Sequence, residues 1–597
     1  RVYGPRLQQM SDDFAGQGVQ FVGIVSNVQD SIEEMGQYAR DHGVKFPLGK
    51  DYDQRVTAAL GATRTPEVFV VDRGGSIRYQ GRIDDQYQPG ISRSEATQHD
   101  LRVAIEAVLP GSSPATPRTE AVGCLIGRHR EEPTDFSVTF CDQVVRVLRR
   151  HCIECHREGE IGPFSLEDFD EVVGWGDMCI EVVDQGRMPP WHASPEFGSF
   201  ANSRHMPEKD KQVLRRWVEA GMPFGDPDDL PPPADYVEGW RLPEAPHVVL
   251  PMREEPFEVP AEGTVEYQYF VVDPGFKEDK WVRAAEVIPG CSSVVHHCIA
   301  FTRPPDGASF REIGLLSAFV PGQLRSPLPE GYAQRIRAGS RIVFQMHYTP
   351  NGKVEQDLTR LGLVFADPKE VTHEVIALGG IQQEFEIPPR TPHHVVDGRF
   401  GWFPRDGQLL SIMPHMHLRG KAFEFRIERG DLSETVLKVP AYDFNWQHNY
   451  ELTTPLPLND VDELSFSAIF DNSSDNPFNP DPSELVTWGD QTWQEMAVTF
   501  ISVARPLGEG RRESQPESSK VEQEQVSERR EDQEQRAREF ADRYIARFDD
   551  NGDGFVTRNE LPHSVRIFSY WQLDADGDGR ISRDEIYRQA LARYQDG

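Results

Sequence analysis

The chain has 597 residues, too many for one hydrophobic core, so three to five domains are expected. Its 38% hydrophobic content, mean hydropathy of −0.56 and lack of any apolar run near the ~20 residues of a bilayer span describe a water-soluble chain without a transmembrane segment. A net charge of −34 excludes a nucleic-acid binder, which needs basic surface; much of the excess sits near the C-terminus and in acidic loops, and so is uninformative about substrate.

Seven cysteines are few for a secreted scaffold, and the odd number leaves at least one unpaired. The chain opens at Arg1, and its first residues read as the middle of a domain, so a truncated start is expected. Residues 1–125 alternate strands and helices. A buried strand is predicted over 19–25, and a helix over 30–43 with Ile32, Met35 and Tyr38 on one face and Gly43 past its end. Segments 67–72 and 77–82 form a hairpin across Arg73-Gly74-Gly75-Ser76. Thr65-Pro66 before a strand resembles the cis-proline loop of thioredoxin-like redoxins of the peroxiredoxin and thiol–disulfide type. The reactive cysteine of that family precedes the helix that Tyr3–Phe14 continues, and it is missing here. Cys124 is the one thiol near this domain, a resolving or ligand cysteine or else an inert one.

Cys152-Ile153-Glu154-Cys155-His156 has the spacing for two thioether bonds to haem, with the imidazole on the iron. A zinc half-site or a redox Cys-x-x-Cys are the alternatives, and neither has a matching partner nearby. Cys141, Val144, Val145 and Leu148 line one helical face before the motif, and a helix over 209–220 stops at Gly221. Residues 131–228 thus resemble a small cytochrome c domain. Met188, held by Pro189-Pro190, is the expected sixth ligand, with Met178 and Met206 as alternatives. Cys141 and Cys179 are either a disulfide or two buried thiols.

Beyond the stiff Leu230-Pro-Pro-Pro-Ala234 linker, short β-branched and aromatic runs continue to about 505, as in two antiparallel β-sandwiches, 238–375 and 376–505. Four segments carry imidazole or thioether groups suited to copper: His296-His297, His347, His415-Met416-His417 and Met496. On a strand the rings of His415 and His417 leave one face, whereas adjacent His296 and His297 leave opposite faces unless a bulge intervenes. Cys291 and Cys298 are too far apart along a straight strand for a disulfide. His393, His394 and His448 are spare loop histidines, read as supporting the ligand residues from behind or lying at the surface before being ligands themselves.

Val-His-His, Gln345-Met346-His347-Tyr348, His-x-His followed by Gly420, and Glu495-Met496 together resemble the copper type II, ascorbate-dependent monooxygenases, the family of the peptidylglycine hydroxylating and dopamine beta-monooxygenases. The resemblance implies two jelly-roll domains across a solvent-filled cleft. It implies an electron-donating copper on His296, His297 and His347, and a dioxygen-binding copper on His415, His417 and Met496. The positions of the family's peptide-carboxylate clamp are occupied by Met413, Val498 and Phe500, which points away from peptide C-termini and toward a small or apolar substrate.

Residues 506–538 are a charged linker, and 539–597 an EF-hand pair. The first loop offers Asp549, Asn551, Asp553, Phe555 (backbone carbonyl), Thr557 and Glu560. The second offers Asp574, Asp576, Asp578, Arg580 (backbone carbonyl), Ser582 and Glu585. Val556 and Ile581 are placed to pair across the loops.

The expectation is a multidomain α+β chain: a thioredoxin-like α/β fragment, a helical cytochrome c-like domain, two copper sandwiches and an EF-hand pair. It would hold two coppers, haem c and two calcium ions, and would hydroxylate an aliphatic C–H with O2. Electrons would come from an ascorbate-like reductant or redox protein, through the haem. The alternatives are a non-catalytic electron-transfer or metal-binding protein, and a binding protein with structural sandwiches. Covalent haem implies an extracytoplasmic location, periplasmic or secreted.

Overall fold

The structure, a computed structural model, describes residues 3–88, 91–92, 96–129, 132–133, 135–158, 160, 162, 164–237, 239–263, 265–305, 314–320, 327–489, 491–508, 520–562, 565–566 and 570–595. Among these, no helix is long and apolar enough to cross a membrane.

At the N-terminus, helix Tyr3–Phe14 packs Met10 and Phe14 against Ile83, Leu101 and Ile105. The strand expected over 19–25 is only Gly23–Val25, parallel to Leu48–Lys50. Helix Ile32–Asp41 starts at Ser31, whose hydroxyl accepts the Glu34 N–H while the Glu34 carboxylate accepts the Ser31 N–H, a reciprocal cap. Val68–Val71 pairs with Ile77–Gly81 as the expected hairpin. The Thr65–Pro66 peptide is cis, and Thr65 lies opposite Cys124 across a two-residue pairing. Burial pushes the Cys124 thiol up, away from the thiolate that nucleophilic chemistry needs.

Residues 140–219 supply three helical stretches. A π-helical turn, Phe140–Val144, runs into Val145–His151, and these pack against Phe169–Asp184 and Glu208–Glu219. Cys141, Val144, Leu148, Val172, Leu214 and Trp217 share their core. Burial of such side chains contributes about 1.5–3 kcal/mol each. All seven cysteines are free, so Cys141 and Cys179 are two thiols rather than a disulfide, and Cys291 and Cys298 are likewise unbridged.

The β-rich region departs from two separate sandwiches. One sheet of eight strands runs through both halves, in the order Tyr450–Pro457, Gln408–His415, Ala497–Pro506, His373–Gln382, Tyr332–Ile336, Lys280–Ile288, Arg360–Phe365 and Val248–Pro251. The join is a short parallel pairing, Tyr332 with His373 and Ala333 with Glu374. Buried Glu374 takes Arg505 of its own half at 2.6 Å and Arg335 of the other half at 2.9 Å, so the second ion pair ties the halves across the join.

Each half of this sheet shares a core with its own four-stranded sheet. The first is Gln268–Val272, Arg341–Tyr348, Val295–Arg303 and Leu315–Phe319; the second is His394–Arg399, Glu463–Phe470, Gly420–Arg429 and Leu432–Val439. Alternation explains the layering: Phe423, Phe425 and Ile427 on one strand all point inward and are fully buried. Met413 and Phe500 face each other in register and pack with Ile299, Phe301 and Val343 of the first half. These two positions, expected to line a substrate cleft, therefore fill the contact between the halves; Val498, opposite His415, is buried as well.

Residues 509–519 of the expected linker lie outside the described residues. Pro506 still belongs to the strand Ala497–Pro506, and residues 520–538 begin one helix, Lys520–Phe548, which continues without a break to the first calcium loop. Val556 and Ile581, both fully buried, pair across the two loops as expected.

Candidate metal centre

His296, His297 and His347 meet at the edge where strand Val295–Arg303 pairs with Arg341–Tyr348. The register jumps there: Val295 lies opposite Tyr348, yet His297 lies opposite His347, leaving His296 as an extra residue. This bulge turns two adjacent side chains toward one point. The ring centroids are 4.8–5.3 Å apart. One nitrogen from each ring lies within 4.8 Å of the others. Nε2 of His296, Nε2 of His297 and Nδ1 of His347 are buried without a hydrogen-bond partner. Buried polar atoms rarely stay unsatisfied, and three convergent imidazole lone pairs fit a transition-metal ion. Burial, and then the neighbouring imidazoles, hold His297 and His347 well below the usual histidine range, so all three rings are neutral and ready to ligate.

His415 and His417 come from a different device. The strand Gln408–His415 ends at the first of them, and the second lies in the following turn, so a shared strand face does not account for the pair. The Glu495 carboxylate holds the turn, accepting the backbone N–H of His417 at 2.9 Å and of Arg419 at 2.5 Å. Burial pushes that carboxyl up to about 8, against the pull of these donors and of the Arg419 charge. The Arg419 side chain, itself buried, donates to Asn472 Oδ1, the Trp493 carbonyl and the Asp481 carbonyl. Tyr442 brackets Met416, donating to its carbonyl at 2.9 Å and accepting its N–H at 3.1 Å. The two histidine rings end 5.2 Å apart.

Both rings are oriented through Nδ1, which meets Gln447 Oε1 at 2.7 Å in His415 and the Gln494 carbonyl at 3.2 Å in His417. That leaves each Nε2 as the nitrogen available to a metal, as in the usual outer-shell arrangement of a metal-bound imidazole. Burial lowers the His417 pKa to about 3. Met496, half-buried, follows Glu495 directly and so shares the anchor of the turn.

One aromatic side chain touches rings of both groups, and His296 and His347 are half-buried. Phe444 stacks on His296 at 5.6 Å and also contacts His347 at 6.0 Å and His417 at 6.1 Å. His297 and His417 are each about 1% exposed. Sequence reasoning missed Phe444, Gln447 and Tyr442, because nothing in the local pattern of 442–447 marks a loop that reaches two distant strands.

His156 lies in the helical domain with its Nδ1 3.2 Å from the Phe164 carbonyl, leaving Nε2 free for iron. Cys152 and Cys155 flank it, and burial raises both thiols. Phe164 contacts the His156 ring and stacks on Trp175 at 4.0 Å. A Cβ at Gly162 would come within 2.8 Å of His156 Nδ1, so only glycine leaves room for the ring. Met188 sits half-buried after the helix Phe169–Asp184, its N–H bonded to the Val182 carbonyl. Met206 and Met222 belong to the domain core, and Met178 lies within the helix.

In the C-terminal pair, Gly554 and Gly579 take the positive φ that the sixth loop position requires. Asp574, Asp576 and Asp578 each offer an oxygen within a 4.8 Å cluster. Glu560 and Glu585 close their loops, accepting the N–H of Thr557 at 2.7 Å and of Ser582 at 2.8 Å. Asn551 donates to Glu560 in the first loop. Asp549, Asp553, Phe555, Thr557, Arg580 and Ser582 occupy the remaining positions of the loops.

Residues 2–80 match the AhpC/TSA family, and residues 540–561 and 572–589 match the EF hand. Comparison with curated proteins returns no match. Among solved structures, the chain is similar to a hypothetical protein from Sinorhizobium meliloti 1021, at 34% identity over 22% of this chain and 73% of the other, with a TM-score of 0.21. It is also similar to an uncharacterized conserved protein from Geobacillus kaustophilus, at 29% identity over 22% and 71% of the two chains, TM-score 0.21. The major capsid protein P2 of Bacteriophage PM2 aligns at 8% identity over 44% and 98%, TM-score 0.21. The chain thus carries an AhpC/TSA-type, redoxin-like segment at its N-terminus and EF hands at its C-terminus, on either side of a large β-rich region.

Proposed function

We propose that this protein is an extracytoplasmic, copper-dependent monooxygenase that hydroxylates an aliphatic C–H of a small or apolar substrate. The observation that carries this reading is the pair of neutral, buried histidine groups, one with three unpartnered nitrogens and one with both rings held through Nδ1, brought together around Phe444. His296, His297 and His347 would hold one copper in the first half of the β region, and His415, His417 and Met496 the other in the second half. Copper bound there would supply one-electron redox and dioxygen chemistry.

The chain's own residues do the positioning. The bulge at His296 aims the first group, and the Glu495–Arg419 anchor fixes the turn of the second. Phe444, itself buried, lies against rings of both groups and would limit water beside them. The helical domain, with Cys152, Cys155, His156 and Met188, is suited to a covalently bound haem c. Its loop after Met188 packs on the second half of the β region, where the Ala201 and Thr453 N–H groups bond the Glu451 and Ser199 carbonyls. That contact favours electron delivery within the chain, alongside an external reductant.

The test is oxygen uptake by ascorbate-reduced protein offered small apolar C–H substrates, with analysis for hydroxylated product. Uptake coupled to product, and absent in His417→Ala, supports the reading; slow, substrate-independent reoxidation contradicts it. The depth of the rings favours one second reading, a non-catalytic electron-transfer or metal-binding protein, and that outcome is its signature.

A further inference from the structure

Two histidines outside both groups face each other at the junction between the helical domain and the β region. His192 belongs to the loop that follows Met188, and His448 to the segment that also supplies Phe444 and Gln447. Their ring centroids are 6.1 Å apart. His448 is 3% exposed, and its Nε2 has no hydrogen-bond partner; neither has the buried Nδ1 of His192. The Pro190 carbonyl bonds the His448 ring, which by elimination engages Nδ1 and fixes the tautomer that leaves Nε2 as a lone pair.

The junction is built to hold this geometry. Trp191 packs edge-on against Tyr450 at 5.0 Å, and Phe200 contacts both rings. Asn202 donates to the Asn449 carbonyl and accepts the Glu451 N–H, while Ser194 N–H bonds the Lys438 carbonyl. Trp446 stacks on the other side of His448 at 6.4 Å. The pair is therefore clamped from both chain segments, with two buried nitrogens without partners among aromatic rings, and with Asp443 and Arg204 near enough to act on His192 and His448 respectively.

We propose that His192 and His448 form a further metal site, selective for monovalent copper, that ties the loop after Met188 to the β region. Each imidazole nitrogen bound at roughly 2.0 Å puts two ring centres up to about 6.3 Å apart, so the 6.1 Å separation here leaves room for one two-coordinate ion between the rings. A closed d-shell ion accepts that geometry, whereas Cu(II) and Zn(II) need more ligands than this cage offers. Imidazole is a fitting donor for copper. Asp443, close enough to act on His192, adds a carboxylate that offsets the ion's charge. The inference does not rest on the proposed activity, since none of these residues belongs to the other two groups.

The test is anaerobic titration of the full chain with Cu(I) against a chromogenic chelator, followed by copper X-ray absorption. The parent binds one more equivalent of Cu(I) than His192→Ala, with the edge signature of two-coordinate Cu(I) present in the parent and lost in the variant. His192→Asn, a smaller change in the half-exposed loop, and His448→Gln give the same loss with unchanged far-UV circular dichroism. Equal Cu(I) uptake by parent and His192 variants overturns the proposal and leaves the pair bridged by water. Loss of copper from the His297 and His417 groups in the same experiment bears on the proposed function alone.

Discussion

Gln447 Oε1 accepts a hydrogen bond from Nδ1 of His415 at 2.7 Å, with both side chains buried. The bond selects the tautomer that leaves Nε2 as the ligand, and it is made by a loop residue thirty-two positions away in sequence. Replacing Gln447 with Leu removes the acceptor without opening a large space. We expect a roughly 10–100-fold loss of copper affinity at the His415–His417 group, with the His296–His297–His347 group unchanged. Competition titration of the two sites, resolved by the spectra of Cu(II) bound at each, measures this.

Arg419 predicts a stability effect. It is 1% exposed, and its guanidinium donates to Asn472 and to the carbonyls of Trp493 and Asp481 while its N–H feeds Glu495. Arg419→Ala removes three side-chain hydrogen bonds at once, although Asn472 Oδ1 keeps its bond from Asn479. The expected loss is about 1–3 kcal/mol, read as a lower urea midpoint for the β region, and the His417 turn loosens with it.

Asp210 predicts acid sensitivity of the helical domain. It takes Arg150 at 2.6 Å and His151 at 2.9 Å. Burial opposes its ionisation, but these two hydrogen bonds and charges win and hold it below the usual carboxylate value of 3.8. A lowered folded pKa means that the unfolded chain binds more protons, so this contribution is present above pH 3.8 and is lost as pH falls through the lower, folded value. Asp210→Asn removes that component, and the variant's urea midpoint becomes less dependent on pH at the acid end than the parent's.

The EF-hand pair predicts coupled calcium binding. Val556 and Ile581 are fully buried partners across the loops. Ile581→Ala deletes a packed side chain at a cost of about 2–5 kcal/mol and weakens calcium binding at both loops, whereas Glu585→Gln weakens the second loop first. Isothermal titration of the C-terminal region within the full chain separates the two patterns.

The candidate donor sets were legible because they are local. The two calcium loops announce their donors by spacing, the Cys-x-x-Cys-His run and the histidine dyads announce the donors proposed for haem and copper, and the need for a bulge at His296-His297 followed from the alternation of side chains on a strand. What the sequence withheld is long-range. Nothing in residues 442–448 marks them as the segment that orients His415, covers His296 and reaches His192, because those contacts come from a loop with no periodicity. The joined eight-stranded sheet depends on a two-residue parallel pairing, too short to leave a pattern. Met413 and Phe500 were read correctly as apolar and wrongly as a cleft lining, because apolar character alone does not say which surface a side chain covers.

The most direct test of the central claim is Cu(II) bound per chain, by elemental analysis and spin quantification, in the parent beside His297→Ala and His417→Ala. Two coppers in the parent, falling to one in each variant with distinct residual spectra, is the predicted result. No copper, or zinc that neither substitution displaces, contradicts the account and leaves the histidine groups as structural features of the β region.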